Sequence, residues 1–387
     1  MVLEMSTLPP VTPQKHTEVW SNLGSFPQIS KYYGQWLKRV LNEKDPRTYP
    51  IIKQFLIKNY DYLKLLDQLL DENSAVKGFP TIIKHSKNKS EFYDEFSVLK
   101  FGMVLKKNGY AFEFIPPDRA PKPDIKAKIW NRDVFFEVKH LRNRDEANDW
   151  LFDYFNEYPS KFFVSITLDD AVTSAQIQEC IQTIKTVIET KKDEDFPQLL
   201  NLGFAQVDIE LSKQRSKTPI VVGSGVIEVP FERTKFKIET TFHEALKQIK
   251  STPSTSPSFV VYDIDDWKIE SEDIAQALYG QTIGDATPNT LELQRTLYNL
   301  RKETDLKVHD KKILKAFERG FYDVLRGNLL IPHFSYNLQN GLFFLPESED
   351  INGIIAFRGD QQTLFPNPFV RDDKFISYHD LIKMLTI

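Results

Sequence analysis

The sequence predicts an α/β protein whose central mixed β-sheet is flanked by helices. Helical and strand-like segments alternate from about residue 90 to residue 280, which is typical of this class. Residues 134–139 form a strand-like segment that is apolar on both faces except near its end, as expected at the centre of a sheet. The hydrophobic fraction of 41% is large enough for a substantial core and excludes a disordered chain.

Residues 1–85 are predicted to form an N-terminal arm followed by a helical unit. Residues 1–20 are polar and rich in proline, which favours a loose arm. From residue 30 to about residue 71, apolar residues recur with helical spacing, and Pro46 and Pro50 interrupt the pattern. More than one helix is therefore expected in this unit.

Residues 86–280 are predicted to form the α/β core, and local patterns place its elements in order. A helix over residues 90–108 ends at Gly109, whose backbone freedom suits a helix terminus. The elements predicted next are strands 110–115, 125–129 and 134–139, a helix at 145–156 and a strand at 162–167. Together with the helix at 90–108 they describe an α/β unit in which these strands share one mixed sheet. Further along, helices are predicted at 175–190, 240–249 and 271–278, and strands at 205–211, 220–229 and 258–263.

Residues 281–387 are predicted to be an α+β C-terminal extension of the core. Their local patterns combine helical and strand-like segments, and one pair of residues predicts a particular element. Ser377 is followed three residues later by Asp380, a spacing with which the two side chains can cap a short final helix.

Charge and composition restrict the class of function. The formal net charge is −4, so the chain as a whole is not a basic coat for nucleic acid, and any such contact has to be local. The one cysteine, Cys180, excludes an internal disulfide and a cysteine-rich zinc site. The sequence has no apolar run of about 18 residues and no apolar signal core at its start, so no membrane contact and a cytoplasmic location are expected.

Glu95 is a candidate functional residue because it lies in the middle of the apolar face of the helix at 90–108. Leu99 lies near it on one side of the helix and Val98 on the other. A carboxylate that faces the protein interior costs free energy unless a cation or a hydrogen-bond donor satisfies it. Glu91, one turn earlier, is a weaker alternative on a similar face.

Two neighbouring strands supply three more candidate residues. Asp124 opens the strand at 125–129, on the face opposite its isoleucines, while Glu137 and Lys139 share one face of the next strand. Carboxylates on neighbouring strands can hold one hard cation, which polarises a phosphate and lowers the pKa of a bound water. A lysine beside the cation can orient or deprotonate that water and balance the developing negative charge.

A helix acid, a Pro-Asp pair and a Glu-x-Lys strand in this order resemble the PD-(D/E)XK nuclease superfamily. The residues that carry the resemblance are Glu95, Pro123, Asp124, Glu137, Val138 and Lys139. The motifs cover about residues 90–170, and the order helix, strands, helix, strand also agrees with the core of that family. The resemblance implies a restriction-endonuclease-like core.

The resemblance also implies a role for each matching residue. Asp124, Glu137 and the backbone carbonyl of Val138 are expected to bind Mg²⁺ or Mn²⁺, with Glu95 as a further acid from the helix. Lys139 is expected to assist the attacking water. The implied activity is hydrolysis of phosphodiester bonds in nucleic acid, and a role in host defence or restriction is an association of the family.

One position of the motif has a competing candidate. Asp118 also follows a proline and could replace Asp124 as the metal-binding aspartate. Asp124 is preferred because a clean alternating strand follows it, and a short turn then leads to the strand that carries Glu137.

The segment around the motif is locally basic. Residues 118–144 contain eight Lys or Arg residues and four Asp or Glu residues, a local charge of +4. The residues expected to contact phosphates are Lys126, Lys128, His140, Arg142 and Arg144. The expected partner is nucleic acid, with DNA favoured over RNA, and a homodimer or a protein partner is compatible with the family.

Three hypotheses about function follow. The first is a metal-dependent endonuclease. The second is a catalytically silent nuclease-like fold that acts as a nucleic-acid- or protein-binding subunit, which the acidic net charge favours. The third is an unrelated α/β protein in which Glu137 and Lys139 form only a salt bridge.

Overall fold

The fold was analysed in a computed structural model that describes most of the chain. The described residues are 19–42, 49–56, 58–88, 91–116, 121–141, 162–168, 174–211, 220–224, 231–264, 269–282, 336–337, 341–359 and 361–377, with the single residues 311, 314, 315, 319, 380 and 383. The chain divides into two compact units. The larger comprises Gln14–Leu41, Arg47–Arg142 and Phe231–Ile387, and the smaller comprises Met1–Pro13, Asn42–Pro46 and Asn143–Pro230.

Eight helices with defined bounds and twelve strands lie within the described residues. The helices are α1 (Pro27–Val40), α2 (Pro50–Leu56), α3 (Tyr60–Asn73), α4 (Phe79–His85), α5 (Phe92–Lys107), α6 (Ser174–Thr190), α7 (Phe231–Ile249) and α8 (Ser271–Tyr279). The strands are β1 (Ala111–Phe114), β2 (Ile125–Ile129), β3 (Arg132–Leu141), β4 (Phe162–Leu168), β5 (Gln198–Asn201), β6 (Ala205–Leu211), β7 (Ile220–Ser224), β8 (Ser258–Ile264), β9 (Gln281–Thr282), β10 (Tyr336–Asn337), β11 (Gly353–Arg358) and β12 (Gln361–Pro366).

The larger unit is built on a six-stranded mixed sheet with the order β1-β2-β3-β8-β11-β12. The first three strands are antiparallel to one another, β3, β8 and β11 run parallel, and β12 is antiparallel to β11. Every residue of β8 is buried, as expected for a central strand that is covered on both faces. The predicted class, an α/β protein with a central mixed sheet and flanking helices, is confirmed.

Helices cover both faces of this sheet. On one face, the ring of Phe101 in α5 packs against Phe136 of β3, with 5.1 Å between ring centroids. On the other face, the hydroxyl of Tyr262 in β8 donates a hydrogen bond to the carbonyl of Ile238 in α7, at 3.4 Å. Tyr262 is the register partner of Lys139, so the Lys139 side chain shares the face that α7 covers.

The N-terminal helices pack around α5 and hold it against the sheet. α3 contacts both α1 and α5, and Asn59 caps α3 by accepting a hydrogen bond from the backbone of Tyr62. α4 starts after Gly78, which has a φ of 88°. A Cβ atom at Gly78 would lie 2.2 Å from the carbonyl oxygen of Phe114 in β1, so only glycine allows this close approach.

The smaller unit is a four-stranded sheet with the order β5-β6-β4-β7 and one described helix, α6. One face of the sheet and α6 form a compact apolar core, which includes Val164, Val207 and Cys180. The buried, unpaired Cys180 agrees with the sequence, which allowed no internal disulfide.

The expectation that strand 162–167 continues the same sheet as the three strands before it is wrong. β4 belongs to the sheet of the smaller unit, and the parallel neighbour of β3 is β8. Periodicity shows that a segment is a strand, but pairing across more than a hundred residues leaves no local pattern. The helix predicted at 145–156 lies outside the described residues.

The last part of the chain returns to the larger sheet, because β11 and β12 form its final two strands. The predicted cap is present: the backbone N–H of Asp380 donates to the hydroxyl of Ser377 at 3.2 Å. Whether 1–85, 86–280 and 281–387 fold as separate domains stays a prediction. None of the helices in the described part of the chain is both long enough and apolar enough to span a bilayer.

Candidate active site

Asp124 is fixed at the end of the sheet where β2 begins and β3 approaches its last residues. Its backbone N–H donates to the carbonyl of Phe136 at 3.0 Å. Its Oδ2 accepts a hydrogen bond from the backbone N–H of Val138 at 2.8 Å. These two contacts continue the antiparallel register in which Ile125 pairs with Phe136, so the side chains of Asp124 and Glu137 lie opposite each other on one face.

Glu137 is fully buried and lacks hydrogen bonds. Its relative exposure is 0%, and neither carboxylate oxygen accepts a hydrogen bond from the described residues. Nζ of Lys139 lies 2.8 Å from Oε1 and forms an ion pair with it. A buried carboxylate with two unsatisfied oxygens is costly, so Glu137 has unused capacity to bind a cation.

Glu95 approaches the same region from the first turn of α5. It is mostly buried, and its Oε1 lies 3.8 Å from Nδ1 of His85, at the end of α4. Asp94, its neighbour in the chain, is also in the first turn. Negative charge is favourable at a helix N-terminus, which explains in part how α5 tolerates two acids there.

A cavity of about 200 Å³ joins these residues, and all four predicted catalytic side chains line it. The residues around it are His85, Glu91, Asp94, Glu95, Val98, Ile115, Pro121, Lys122, Asp124, Glu137, Val138, Lys139 and Gln248. Five of them are carboxylic acids. A space of this size can hold an ion with several waters, since one water occupies about 30 Å³ of liquid.

The carboxyl groups in the cavity have too few cations and hydrogen-bond donors to offset their burial, and their pKa values are therefore raised. Burial, opposed by Lys139 and by the Val138 hydrogen bond, raises the pKa of Asp124 to about 6. Burial, together with the nearby Asp124 and Asp94 charges, raises the pKa of Glu95 to about 9. Burial and Asp124 raise the pKa of Glu137 well above its usual range. At neutral pH the site therefore holds protons that a cation has to displace.

Lys139 stays positively charged in this setting. Burial by itself would lower its pKa, but the carboxyl groups of Glu137, Asp124 and Asp94 outweigh burial and raise it. A lysine with a raised pKa is a poor base at neutral pH. It is suited to orienting a water molecule and to neutralising negative charge.

Several cavity residues were not found from the sequence. Asp94 is exposed as a residue, but desolvation of its carboxyl group raises its pKa, and its only sequence signal is its place beside Glu95 in the first turn. Glu91 had been weighed as an alternative and also lines the cavity. Gln248 comes from α7, more than a hundred residues after β3, so no local pattern could link it to the site.

Three of the residues expected to contact phosphates, Lys126, Lys128 and His140, are not among the residues that line the cavity. Lys126 and Lys128 both form ion pairs with Asp133, at 3.0 and 3.1 Å, and neither lines the cavity. Arg142 and Arg144 lie outside the described residues, as does Asp118, the alternative to Asp124.

His140 belongs to a second buried polar cluster, on the opposite face of β3. Its Nδ1 lies 3.1 Å from the hydroxyl of Ser97, and its ring stacks on Tyr93. The same hydroxyl donates to Oδ2 of Asp263 at 2.6 Å, and Nζ of Lys100 donates to Oδ1 at 2.7 Å. These contacts join α5 to β3 and β8, so this cluster helps to fix the helix that carries Glu95.

The donor set fits a hard divalent cation. Carboxylate oxygens are the ligands that Mg²⁺ and Mn²⁺ prefer, and both oxygens of Glu137 lack hydrogen bonds beside Asp124. Among the described residues, no group of three or more His, Cys, Asp and Glu side chains is already arranged to hold a metal ion. The fit therefore rests on the chemistry and burial of the donors.

Comparisons of the chain with models of known families, with curated proteins and with solved structures found no match. The function is therefore inferred from the geometry of the site and from the motif that the sequence carries.

Proposed function

We propose that this protein is a metal-dependent nuclease that hydrolyses phosphodiester bonds in nucleic acid, with DNA as the favoured substrate. The observation that carries this proposal is Glu137, a fully buried carboxylate without hydrogen bonds, beside Asp124 and a charged Lys139 in one cavity. Unsatisfied, strongly perturbed carboxyl groups that share a cavity with a lysine are typical of functional sites.

The order of elements supports the same proposal. α5 is followed by three antiparallel strands, then by α7, and then by β8, which runs parallel to β3. This is the order helix, strands, helix, strand that is expected of a restriction-endonuclease-like core. The longest segment of the smaller unit, Asn143–Pro230, falls in the chain between β3 and α7, as an insertion within that order.

Asp124 and Glu137, with the backbone carbonyl of Val138, would hold Mg²⁺ or Mn²⁺, and Glu95 would add a further carboxylate. The bound ion would polarise the scissile phosphate and lower the pKa of a water molecule. Lys139 would orient the attacking water and neutralise the charge that develops on the phosphate. Asp124 stays fixed by the Val138 N–H, so one of its oxygens is held in place before any ligand binds.

The salt-bridge hypothesis accounts for less of the geometry. Glu137 and Lys139 do form an ion pair. A purely structural buried carboxylate is expected to have its remaining lone pairs satisfied, as Asp263 has on the other face. Glu137 does not, and this is the reason for preferring a ligand-binding role.

A silent, binding-only fold is the second candidate function. The observations that favour it are the net charge of −4 and the absence, in the described residues, of three converged metal ligands. Both hypotheses expect contact with nucleic acid, and only the nuclease expects cleavage. A host-defence or restriction role and assembly as a homodimer or with a protein partner remain proposals that follow the family resemblance.

The test is incubation of purified protein with plasmid, linear and single-stranded DNA and with RNA, in Mg²⁺, Mn²⁺ or EDTA. Glu137→Gln and Lys139→Met are compared with Glu113→Gln and Lys77→Met, which alter an exposed Glu–Lys pair outside the cavity. We expect metal-dependent cleavage that is lost in the first two variants and kept in the second two. Cleavage that persists in EDTA or in Glu137→Gln would contradict the proposal, and binding without cleavage on every substrate would favour the second candidate.

A further inference from the structure

The two-residue turn between β2 and β3 carries an exposed tryptophan. Trp130 and Asn131 form this turn, and Ile129 and Arg132 close it as a register pair. Trp130 is 43% exposed and, within the described part of the chain, does not belong to either apolar core. A single exposed apolar side chain is common by itself, so the backbone and the neighbouring residues decide whether Trp130 has a function.

The backbone of this turn is unfavourable for tryptophan. Trp130 has a φ of 49° and Asn131 a φ of 62°, as in a type I′ turn. Asparagine and glycine adopt such angles readily, whereas a bulky side chain there costs free energy. Asn131 therefore fits the turn and Trp130 does not. A residue that is both strained and exposed lowers the stability of the hairpin relative to asparagine, which points to a role in binding.

Arg132 places a positive charge beside the tryptophan. Two peptide bonds join the two residues, so their Cα atoms lie at most about 7.6 Å apart. Arg132 is exposed, and its guanidinium group donates a hydrogen bond to the carbonyl of Thr255 at 3.4 Å. In the described parts of the chain, no carboxylate lies at ion-pair distance from Arg132. The neighbouring lysines, Lys126 and Lys128, both pair with Asp133, so Arg132 is better able to bind an anion than either of them.

The loop that Arg132 contacts carries no acid. Residues 250–257 contain one lysine, five Ser or Thr residues and no Asp or Glu. The surface at this end of the hairpin therefore combines a flat aromatic ring, a cation and hydroxyl groups. A nucleotide has the complementary groups, because its base can stack on an aromatic ring and its phosphate binds guanidinium and hydroxyl groups.

We propose that Trp130 and Arg132, called here the hairpin tip, bind single-stranded nucleic acid, with the indole stacked on an unpaired base and the guanidinium group on a neighbouring phosphate. This inference rests on the proposed function, because it takes the ligand of the cavity to be a nucleic-acid chain. Asp124 lies six residues before Trp130 on the same hairpin, so about 20 Å of extended strand separates the hairpin tip from the candidate active site. At about 3.4 Å for each stacked nucleotide, this distance corresponds to about six nucleotides.

The test is the affinity for a labelled single strand of about 12 nucleotides, twice the estimated span, measured by fluorescence anisotropy in EDTA. Asparagine suits the positive φ, so Trp130→Asn should unfold at the same or a higher temperature than the wild type. Its affinity should be about tenfold lower, because one stacked base is lost. Trp130→Phe keeps a ring and should keep most of the affinity. Leu199→Asn, which removes an exposed apolar side chain from the other sheet, is the matched control.

The phosphate contact and the stacking contact are measured separately. Arg132→Gln should lower the slope of log K against log salt by about 0.7, the value for one phosphate of a single strand, and Trp130→Asn should leave the slope unchanged. A fully paired duplex of the same length should bind Trp130→Asn as tightly as the wild type, because its bases are already stacked. Unchanged affinity of Trp130→Asn for the single strand, an equal loss on the duplex, or no binding of the single strand by the wild type would overturn the proposal.

A further assay keeps this proposal distinguishable from the nuclease. Hydrolysis of bis(p-nitrophenyl) phosphate by the wild-type protein with Mn²⁺ tests the catalytic centre, because this small diester is too short to reach the hairpin tip. If it is hydrolysed but Trp130→Asn binds the single strand as the wild type does, the hairpin tip is overturned and the nuclease stands. If binding depends on Trp130 and Arg132 but no diester is hydrolysed, the hairpin tip is supported and the nuclease is not.

Discussion

Each of the two faces of the central strands buries one carboxylate, and the two carboxylates differ in their hydrogen bonds and in the direction of their pKa shifts. Asp263 and Glu137 are both 0% exposed. Asp263 accepts hydrogen bonds from Ser97 and Lys100, and these, with His140, outweigh burial and lower its pKa. Glu137 accepts no hydrogen bond from the described residues, although it forms an ion pair with Lys139, and burial with the nearby Asp124 raises its pKa well above the usual range.

This difference separates a structural role from a functional one. A buried charge that is fully compensated joins elements of the fold, and removing one partner leaves the other exposed to the low-dielectric interior. A buried acid that is only partly compensated, as Glu137 is by its ion pair with Lys139, destabilises the ligand-free protein and is relieved by a ligand. Asp263 belongs to the first kind and Glu137 to the second, although they lie on adjacent strands.

The largest effect expected from the comparison is on catalysis. Asp124→Asn, Glu137→Gln and Lys139→Met should each lower kcat/KM for cleavage at least about a thousandfold, because in the proposed mechanism each removes a group that touches the reacting phosphate, its water or the ion. Glu95→Gln should have a smaller effect, about tenfold to a hundredfold. Steady-state kinetics on one defined oligonucleotide measures all four. Near wild-type activity of Lys139→Met would refute the role given to that lysine.

The second largest effect is expected on stability, for substitutions in the Asp263 cluster on the other face of the sheet. Asp263→Asn or Lys100→Met should lower the free energy of unfolding by about 3 kcal/mol, since each breaks a buried pair and leaves its partner uncompensated. Glu137→Gln should leave it unchanged or raise it. Urea unfolding at pH 7 without metal compares the variants. If Glu137→Gln lowers the free energy of unfolding as much as Asp263→Asn does, the distinction between the two faces is wrong.

Glu95→Gln should stabilise the metal-free protein, and the gain should grow with pH. The pKa of Glu95 is raised from 4.5 to about 9, mainly by burial, so wild type loses stability as the pH rises between these values. Glutamine removes that loss, which is at most about 1.4 kcal/mol for each pH unit between these two pKa values and is absent near pH 4. Thermal unfolding over this pH range, with Glu113→Gln as control, tests whether the substitution stabilises the protein and whether the gain grows with pH. A gain that is independent of pH would rule out this explanation.

The smallest effect is expected for the lysines that Asp133 already neutralises. Lys128→Gln should change the free energy of unfolding by at most about 0.5 kcal/mol, as is usual for exposed pairs. It should also leave oligonucleotide affinity nearly unchanged, because the charge of Lys128 is partly cancelled by Asp133. A marked loss of affinity for Lys128→Gln, measured by anisotropy, would instead favour the basic segment at 118–144 as the surface that contacts phosphates.

Local residue patterns predicted the parts of the site that depend on local structure. The spacing of apolar residues placed Glu95 on the buried side of α5, and alternation placed Asp124, Glu137 and Lys139 on one face of two paired strands. A one-residue shift in either strand would have reversed that face, so alternation is a strong constraint on register.

The parts of the fold and of the site that depend on contacts between residues far apart in the chain could not be predicted from the sequence. β8 lies beside β3 although more than a hundred residues separate them in the chain. The partners of Asp263 come from α5, and Gln248 reaches the cavity from α7. No local pattern encodes such contacts, and the strand at 162–167 was assigned to the wrong sheet for the same reason.

The most direct test of the central claim is calorimetric titration of Mn²⁺ into the protein at pH 7, in two buffers that differ in ionisation enthalpy. Because burial raises the pKa of Glu95 to about 9 and raises that of Glu137 well above its usual range, binding should release protons and should tighten as the pH rises towards 9. Glu137→Gln should lose binding, while Glu113→Gln should keep it. Absence of Mn²⁺ binding by the wild type, or equal binding by Glu137→Gln, would contradict the claim that this carboxylate is kept unsatisfied for a cation.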